Sequence, residues 1–515
     1  MIIESIERHA NQQPDEIAII SGNVELTYQA LWARINDTAD WLSAQNIRCL
    51  AITLSNCIEW AILDLAAIKI GLTTVPIPDY FTPTQVQSLI KVAAVDCLIT
   101  GEKPTATAPF ELQRFKPDRA ARTRSKITFT SGSTGTPNGV VLSHDSLAEV
   151  ATSIVAAMEQ IQVQRHLCIL PLATLLENIA GLYAPLIKGI QIILPTPEES
   201  GLTGSSNLDI GKMASCISTY KPHSIIVVPQ LLMAITTLSE MGLLDHSSFK
   251  MIAVGGGKVA KHLIDKSAEM GLPVFEGYGL SEAGSVTTLN LPGQIRSGTV
   301  GRVMPHAQVR VNEKGELEVK GTLMTGYIGQ PEYSNEWLPT GDLASIDEEG
   351  FVTIHGRIKN MFITSFGRNV NPEWVEASLT QDPAIQHALV FGEGQATNLA
   401  LIWPRFEATR DELEKIISAA NQALPDYAKI SDFIVMKEDI APSLVTANGR
   451  LKQQNAIDHH HQIIRGHYDS IGDSSGDSSG DSSGESTDTT RNTALITEPN
   501  STPTSKQTKG LGNTL

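Results

Sequence analysis

Over roughly the first 340 residues, short apolar runs alternate with longer stretches of helical periodicity. Residues 26–44 and 59–69 repeat apolar positions at helical spacing and are predicted to be helices. The apolar runs 50–54, 73–77, 97–99, 126–130, 167–170, 190–194, 224–228, 251–254 and 273–276 are predicted to be buried strands. Buried strands separated by helices imply an α/β domain with parallel-rich sheets. After about Gly293 the pattern changes. GTVGRVMPHAQVRV and GELEVKG alternate apolar and polar positions, as half-buried antiparallel strands do, so a small β-structured subdomain is expected there. A smaller α+β domain is expected from near Gly356. It would hold a helix at 372–380, a strand at HALVFG and a helix at 409–423. The division expected is 1–357, a large N-terminal domain; 358–468, a small C-terminal domain; and 469–515, a tail.

In the tail, SIGDSSGDSSGDSSGESTDTT is a short repeat with almost no apolar content. Such a segment buries too little surface to offset its ordering entropy, so disorder is expected. Nothing hydrophobic surrounds the DSSG serines, which argues against a carrier-type phosphopantetheine site there. His459–His461 reads as a polar run at the end of the last helix rather than a metal tract.

Composition narrows the function classes. The 515 residues are 41% hydrophobic and 18% charged, with a formal net charge of −17. A non-specific nucleic-acid binder is normally basic, so no nucleic-acid partner is expected. No apolar run reaches the length of a membrane span. The N-terminal stretch MIIESIERHANQQPDE lacks the apolar centre of a secretory signal. Five scattered cysteines without a CxxC pair argue against a disulfide framework or zinc site and fit the cytoplasm.

The chemistry starts at ITFTSGSTGTPNGVVLSH. A Gly/Ser/Thr run follows a predicted strand and leads toward a helix beginning near Ser143. Glycines at 132, 135 and 139 permit positive φ and close backbone approach. Hydroxyls of Thr130, Ser131, Ser133, Thr134 and Thr136 can donate to phosphate oxygens beside backbone N–H groups. GxxxxGK[ST] is absent here, so this is not a Walker loop.

FTSGSTGTPNG resembles the signature loop of the acyl-adenylate-forming superfamily, roughly [YF]TSG[ST]TGxPKG. Asn138 stands where that family has lysine. Further motifs follow in the family's order. GYGLSEAGS, residues 277–285, resembles YG[LM][ST]E; WLPTGDLASIDEEGFVTIHGR resembles the TGD…GR segment; GRIKNMFITSFGRNVNPEWVE resembles the domain junction. The resemblance covers about residues 1 to 465.

The resemblance implies an AMP-forming acid–thiol ligase using ATP, Mg²⁺ and coenzyme A, or a carrier-protein phosphopantetheine in place of coenzyme A. It implies nucleotide contacts at Thr130, Ser131, Gly132, Ser133, Thr134, Gly135, Asn138, Gly257, Tyr278, Gly279, Ser281, Asp342 and Arg357. Tyr278 would stack on adenine, Ser281 would reach the α-phosphate, and Asp342 would accept from the ribose hydroxyls. Glu282 would bind magnesium, with Glu177 a second contact. Thr134 and Glu282 would be catalytic. Lys359 would be the hinge of a mobile small domain, and Gly367 would border the thioester tunnel. The family's C-terminal lysine aligns with Arg450 in PSLVTANGRLKQQNAI, with Lys452 two residues on; either cation could serve. ILPLATLLENIAGLYAPLIKG resembles the LPLAHxxE segment of long-chain acyl-CoA synthetases, with Thr174 in place of histidine. This implies a fatty or other hydrophobic acid. Leu172, Leu175 and Ile179 belong either to its pocket or to the core. The alternatives are an acyl-AMP ligase serving a carrier protein, and a non-catalytic nucleotide- or acyl-binding relative.

Overall fold

The computed structural model describes residues 1–79, 81–101, 110–117, 125–130, 138–203, 207–445 and 451–474. Local sequence explains most of its helices. Tyr28–Ala44 begins where the Thr27 hydroxyl accepts from the Ala30 N–H, and it buries Leu31, Ile35, Ala39 and Leu42 at successive turns. His144–Ala157 is capped by Ser143 in the same way. Arg410–Gln422 carries a reciprocal capping box between Thr409 and Glu412.

Among the described residues the strands form two large mixed sheets. In the first, Ile17–Ser21, Gln191–Ile193, Arg165–Leu167, Ser224–Val227, Met251–Val254 and Val274–Leu280 lie parallel. Antiparallel strands extend both edges, giving nine strands. The second sheet has seven strands, with Thr73–Pro76, Cys49–Ile52 and Cys97–Ile99 parallel at its centre. A four-stranded antiparallel sheet runs Ala307–Val311, Glu316–Gly321, Leu338–Ile346, Val352–Arg357. This is the β-structured subdomain the alternation predicted.

The smaller C-terminal domain has its own core. Val370, Val375, Leu379, Ile402 and Leu413 pack with Phe433 around the sheet Ile385–Phe391, Asn398–Pro404, Ile430–Val435. Helices Pro372–Leu379 and Arg410–Gln422 lie where the sequence placed them. Residues Met1–Ile464 form one compact unit. The helix His461–Ser474 continues past Asp469, where the composition changes. The expectation for residues 475–515 falls outside the described residues. All five cysteines are free. Among the described residues no helix is long and apolar enough to cross a membrane.

Two strand expectations shift. The run 167–170 is buried, but its strand is Arg165–Leu167. Beyond it, Asn56 Nδ2 donates to the carbonyls of Cys168 and Leu170, at 3.4 and 2.8 Å, in place of a ladder. Apolar patterning reports burial, and a side-chain amide can satisfy buried backbone as well as a strand does. The Gly/Ser/Thr loop does not run straight into a helix either. A strand, Asn138–Ser143, folds back antiparallel on Ser125–Thr130 first.

Candidate active site

Thr130 and Asn138 face each other at the base of that hairpin. Asn138 is exposed, and the Thr130 hydroxyl lies 3.4 Å from its carbonyl. Ser131, Gly132, Ser133, Thr134 and Gly135 lie outside the described residues. Gly139 has a different reason from the one its sequence context gave. A Cβ there would meet Ile328 Cγ2 at 2.7 Å, so the glycine lets the hairpin pack on residue 328, not on a phosphate.

Next to the hairpin, Gly326–Tyr327 pairs with Val140 and Val141. This brings the Tyr327 hydroxyl to Glu282, donating to Oε1 at 2.9 Å. Glu282 sits in a single 3₁₀ turn, Ser281–Ala283, directly after the strand Val274–Leu280. Its carbonyl accepts from the Met324 N–H at 2.7 Å, so backbone fixes the turn and the carboxylate is left for chemistry. Gly279 sits at a register shift facing Ser285, where a Cβ would strike the Ser285 carbonyl.

The second group lies one strand end away. Tyr278 donates its hydroxyl to Asp342 Oδ2 at 2.6 Å, and Arg357 Nε lies 2.9 Å from Asp342 Oδ1. Asp342 and Arg357 are opposed across the antiparallel pair Leu338–Ile346 and Val352–Arg357. Arg357 also donates to the Thr340 carbonyl at 3.2 Å. Burial pushes the Asp342 carboxyl upward in pKa; Arg357 and the Tyr278 hydrogen bond pull it back, while Glu373 and Glu282 push it further up. Each Asp342 oxygen has a second lone pair, so the carboxylate can still accept from a vicinal diol. The Gly255–Gly257 turn follows the parallel strand Met251–Val254, whose Val254 opposes Glu276. Tyr278 and Gly257 thus lie at or just past the carboxyl ends of neighbouring parallel strands, and Asp342 and Arg357 reach Tyr278 from the antiparallel sheet.

The acidic surroundings bear on magnesium. Glu373 and Glu282 both act electrostatically on Asp342. Glu282 offers a hard carboxylate oxygen beyond the one Tyr327 occupies. That donor set fits Mg²⁺. Glu177 is placed elsewhere. It is fully buried, 3.4 Å from His166 Nε2, and forms a cluster with His166 and Cys168. Burial raises its pKa, and hydrogen bonds from His166, Cys168 and the Leu170 backbone act against that shift. Glu177 Oε2 has no hydrogen-bond partner among the described residues, and none of the contacts described is with Tyr278, Glu282, Asp342 or Arg357. The linear motif showed the glutamate but not its burial beside His166 and Cys168, whose donor atoms all lie within 4.8 Å of one another. Leu172, Leu175 and Ile179 are buried in the main hydrophobic core.

Lys359 lies in an exposed turn just after Val352–Arg357. Gly367 takes φ +70° in the turn after Phe362–Ile363. Arg450 lies outside the described residues. Lys452 precedes the helix Gln453–His459, and its Nζ donates to the Ser443 carbonyl at 3.0 Å.

Sequence reasoning missed Tyr327, Glu373 and a buried network around Lys126. Lys126, on the strand entering the loop, is fully buried. Its Nζ donates to both Asp64 oxygens at 2.7 and 2.9 Å, to Asn178 Oδ1 at 2.5 Å, and lies 2.7 Å from the Tyr183 hydroxyl. Asn178 and Tyr183 come from a π-helical stretch, Glu177–Tyr183. The signal was present as a lysine and an aspartate inside apolar runs, since buried charges are almost always paired.

That architecture and site are those of a two-domain α/β nucleotide-binding protein. The chain belongs to the AMP-binding enzyme family: the family's profile matches residues 6–328, and that of the AMP-binding enzyme C-terminal domain matches 359–472. The long-chain-fatty-acid–CoA ligase FadD15 of Mycobacterium bovis is 24% identical over 469 residues, covering 73% of this chain and 76% of the relative. The 2-succinylbenzoate–CoA ligase of Staphylococcus epidermidis is 25% identical over 417 residues, covering 75% of this chain and 84% of the relative. The fold is shared with the anthranilate CoA ligase AuaEII in complex with anthranoyl-AMP, with a TM-score of 0.76 at 19% identity, covering 90% of this chain and 98% of that one. It is shared also with the O-succinylbenzoate coenzyme A synthetase of Bacillus subtilis in complex with AMP, with a TM-score of 0.70 at 22% identity, covering 87% and 97%.

Proposed function

We propose that this chain activates a carboxylic acid with ATP as an acyl-adenylate and then forms the thioester with coenzyme A. The observation that carries the reading is the Tyr278–Asp342–Arg357 group together with Glu282, which Tyr327 ties to the strand Asn138–Ser143. In it Tyr278 presents a ring to adenine, Asp342 accepts from the ribose, and Arg357 balances Asp342. Ser281 reaches toward the α-phosphate. Magnesium, held by Glu282, would neutralise the phosphates. A carboxylate oxygen of the acid bonds to the α-phosphorus in line, and the bond to the departing pyrophosphate breaks. The thiol sulfur then bonds to the acyl carbon, AMP leaves, and the thiol proton goes to solvent. Lys359 is the proposed hinge between the half-reactions, and Lys452 or Arg450 supplies the cation for the first.

The acid class proposed is hydrophobic. The segment 169–189 supports a fatty acid. FadD15 is named for long-chain fatty acids, whereas other relatives are named for 2-succinylbenzoate and anthranilate. Asn138 supports a second reading, a nucleotide-binding relative without turnover, because an uncharged amide stands exposed at the loop base where the family carries lysine.

The deciding experiment is pyrophosphate release across a panel of fatty and aromatic acids, with and without coenzyme A. Release that depends on one acid class, with thioester formed only when coenzyme A is present, is expected. ATP binding without release for any acid would establish the non-catalytic reading. Release stimulated by a holo-carrier protein but not by coenzyme A would assign the acceptor to a carrier.

A further inference from the structure

Glu376 lies on the helix Pro372–Leu379. Its Oε1 accepts from the Val390 N–H at 2.8 Å and from Gln453 Nε2 at 2.6 Å; Oε2 accepts from the same amide at 2.5 Å. Gln453 is only 8% exposed and begins the helix Gln453–His459. The residue before it is Lys452.

Lys452 sits at one end of a clasp. Its N–H donates to the Leu444 carbonyl at 2.8 Å, and its own carbonyl accepts from the Ala456 N–H at 2.9 Å. Val445 and Leu451 form an antiparallel bridge. The chain on either side of 446–450 is thus closed on itself by backbone. Backbone alone does not fix where the clasp points. The Gln453 side chain does this by fastening it to Glu376. Helix Pro372–Leu379 is in turn held by Val375 and Leu379, both fully buried. Burial pushes Glu376 up to about 8, opposed by the bonds from Gln453 and the Val390 N–H. A neutral acid can donate its proton to Gln453 Oε1, a buried oxygen with no partner among the described residues, once the amide rotates. The pair can therefore stay hydrogen bonded in either charge state.

We infer that Glu376 is a positioning residue for adenylation: through Gln453 it sets the base of the loop and so the place to which Lys452 is delivered. The inference rests on the adenylation reading above. A cation displaced by about 1 Å loses on the order of a hundredfold in rate, so a tether one residue from it is kinetically visible.

The test uses full-length Glu376→Leu, Gln453→Leu and Glu376→Gln. Adenylation is followed by single-turnover pyrophosphate release, and the second step by thioester formation from supplied acyl-AMP. Both leucine variants are expected to slow adenylation about 10- to 100-fold, with KM for ATP within about twofold. Thioester formation should stay near wild type. Glu376→Gln keeps an amide-pairing group and should recover most of the rate. The double leucine variant should lose no more than either single one. Wild-type adenylation in either leucine variant overturns the inference, as does a parallel fall in both half-reactions or a failure of Glu376→Gln to recover. Should Glu376→Leu not fold, Gln453→Leu carries the test alone. If the wild-type chain adenylates no acid, it is the enzymatic reading that fails. Hydrogen exchange at the Lys452 and Ala456 amides then reads the tether directly: faster exchange in Gln453→Leu supports it, and unchanged exchange overturns it.

Discussion

Asp342 is a buried carboxylate kept usable by its neighbours. Burial favours its neutral form, and the Arg357 guanidinium at 2.9 Å and the Tyr278 hydroxyl at 2.6 Å favour the charged one. Asn at 342 keeps the shape but removes the charge that pairs with Arg357 and accepts from a diol. A hydrogen bond to a charged group contributes about 1.5–3 kcal/mol, so Asp342→Asn should weaken ATP binding roughly 10- to 100-fold. Calorimetric ATP titration measures this; unchanged affinity would remove Asp342 from the ribose site. Glu282 allows an equally clean substitution. Its turn is held by the Met324 N–H on its carbonyl, so replacing the side chain should leave the backbone in place. Glu282→Ala should abolish acid-dependent ATP–pyrophosphate exchange while retaining thermal stability. Exchange at the wild-type rate would sink the magnesium assignment.

The strand Ser125–Thr130 is anchored by charge as well as by its ladder. Lys126, Asp64, Asn178 and Tyr183 form a closed set that ties this strand to the helix Ile58–Lys69 and to the π-helical stretch. Removing either charged member leaves the other buried and unpaired, which costs about 3–5 kcal/mol. Lys126→Met should therefore lower unfolding free energy by about that amount in a denaturant titration. Adding Asp64→Leu should restore part of it, because an apolar pair replaces the stranded carboxylate. A single variant as stable as wild type would show that the network carries no net stability. The same network gives the π-helical stretch a cause, since two buried side chains must reach Lys126 from one short element.

For the whole molecule, pH acts through groups whose burial opposes charging. Burial raises Glu276 to about 7, with Lys258 opposing, and Glu376 to about 8, both from 4.5. The folded chain then holds protons that the unfolded chain has released, so stability falls as pH rises from about 4.5 through these values. His144 is lowered from 6.5 to about 4, chiefly by burial and next by Lys126. There the unfolded chain binds the extra proton, so stability falls as pH drops from about 6.5 to 4. Above pH 6.5 only the glutamates act in this set, and stability should decline toward pH 8. Glu276→Gln should flatten that decline in thermal unfolding followed across pH; an unaltered slope would discharge Glu276 from the effect.

Sequence determined what depends on local order. Periodicity placed the helices Tyr28–Ala44 and Arg410–Gln422 within two residues, because capping and one-sided burial are written in neighbouring positions. The alternation after Gly293 gave the antiparallel sheet for the same reason. Family resemblance singled out Tyr278, Glu282, Asp342 and Arg357 as candidates, since each lies in a short run of distinctive residues. Tertiary structure decided what depends on partners far along the chain. It joined Tyr278 to Asp342 and Tyr327 to Glu282 across 64 and 45 residues. It buried Glu177 with His166, turned Gly139 into a packing position, and set Glu376 against Gln453 across 77 residues. Burial and pairing are properties of a folded neighbourhood, and a linear motif specifies a residue's type without its surroundings.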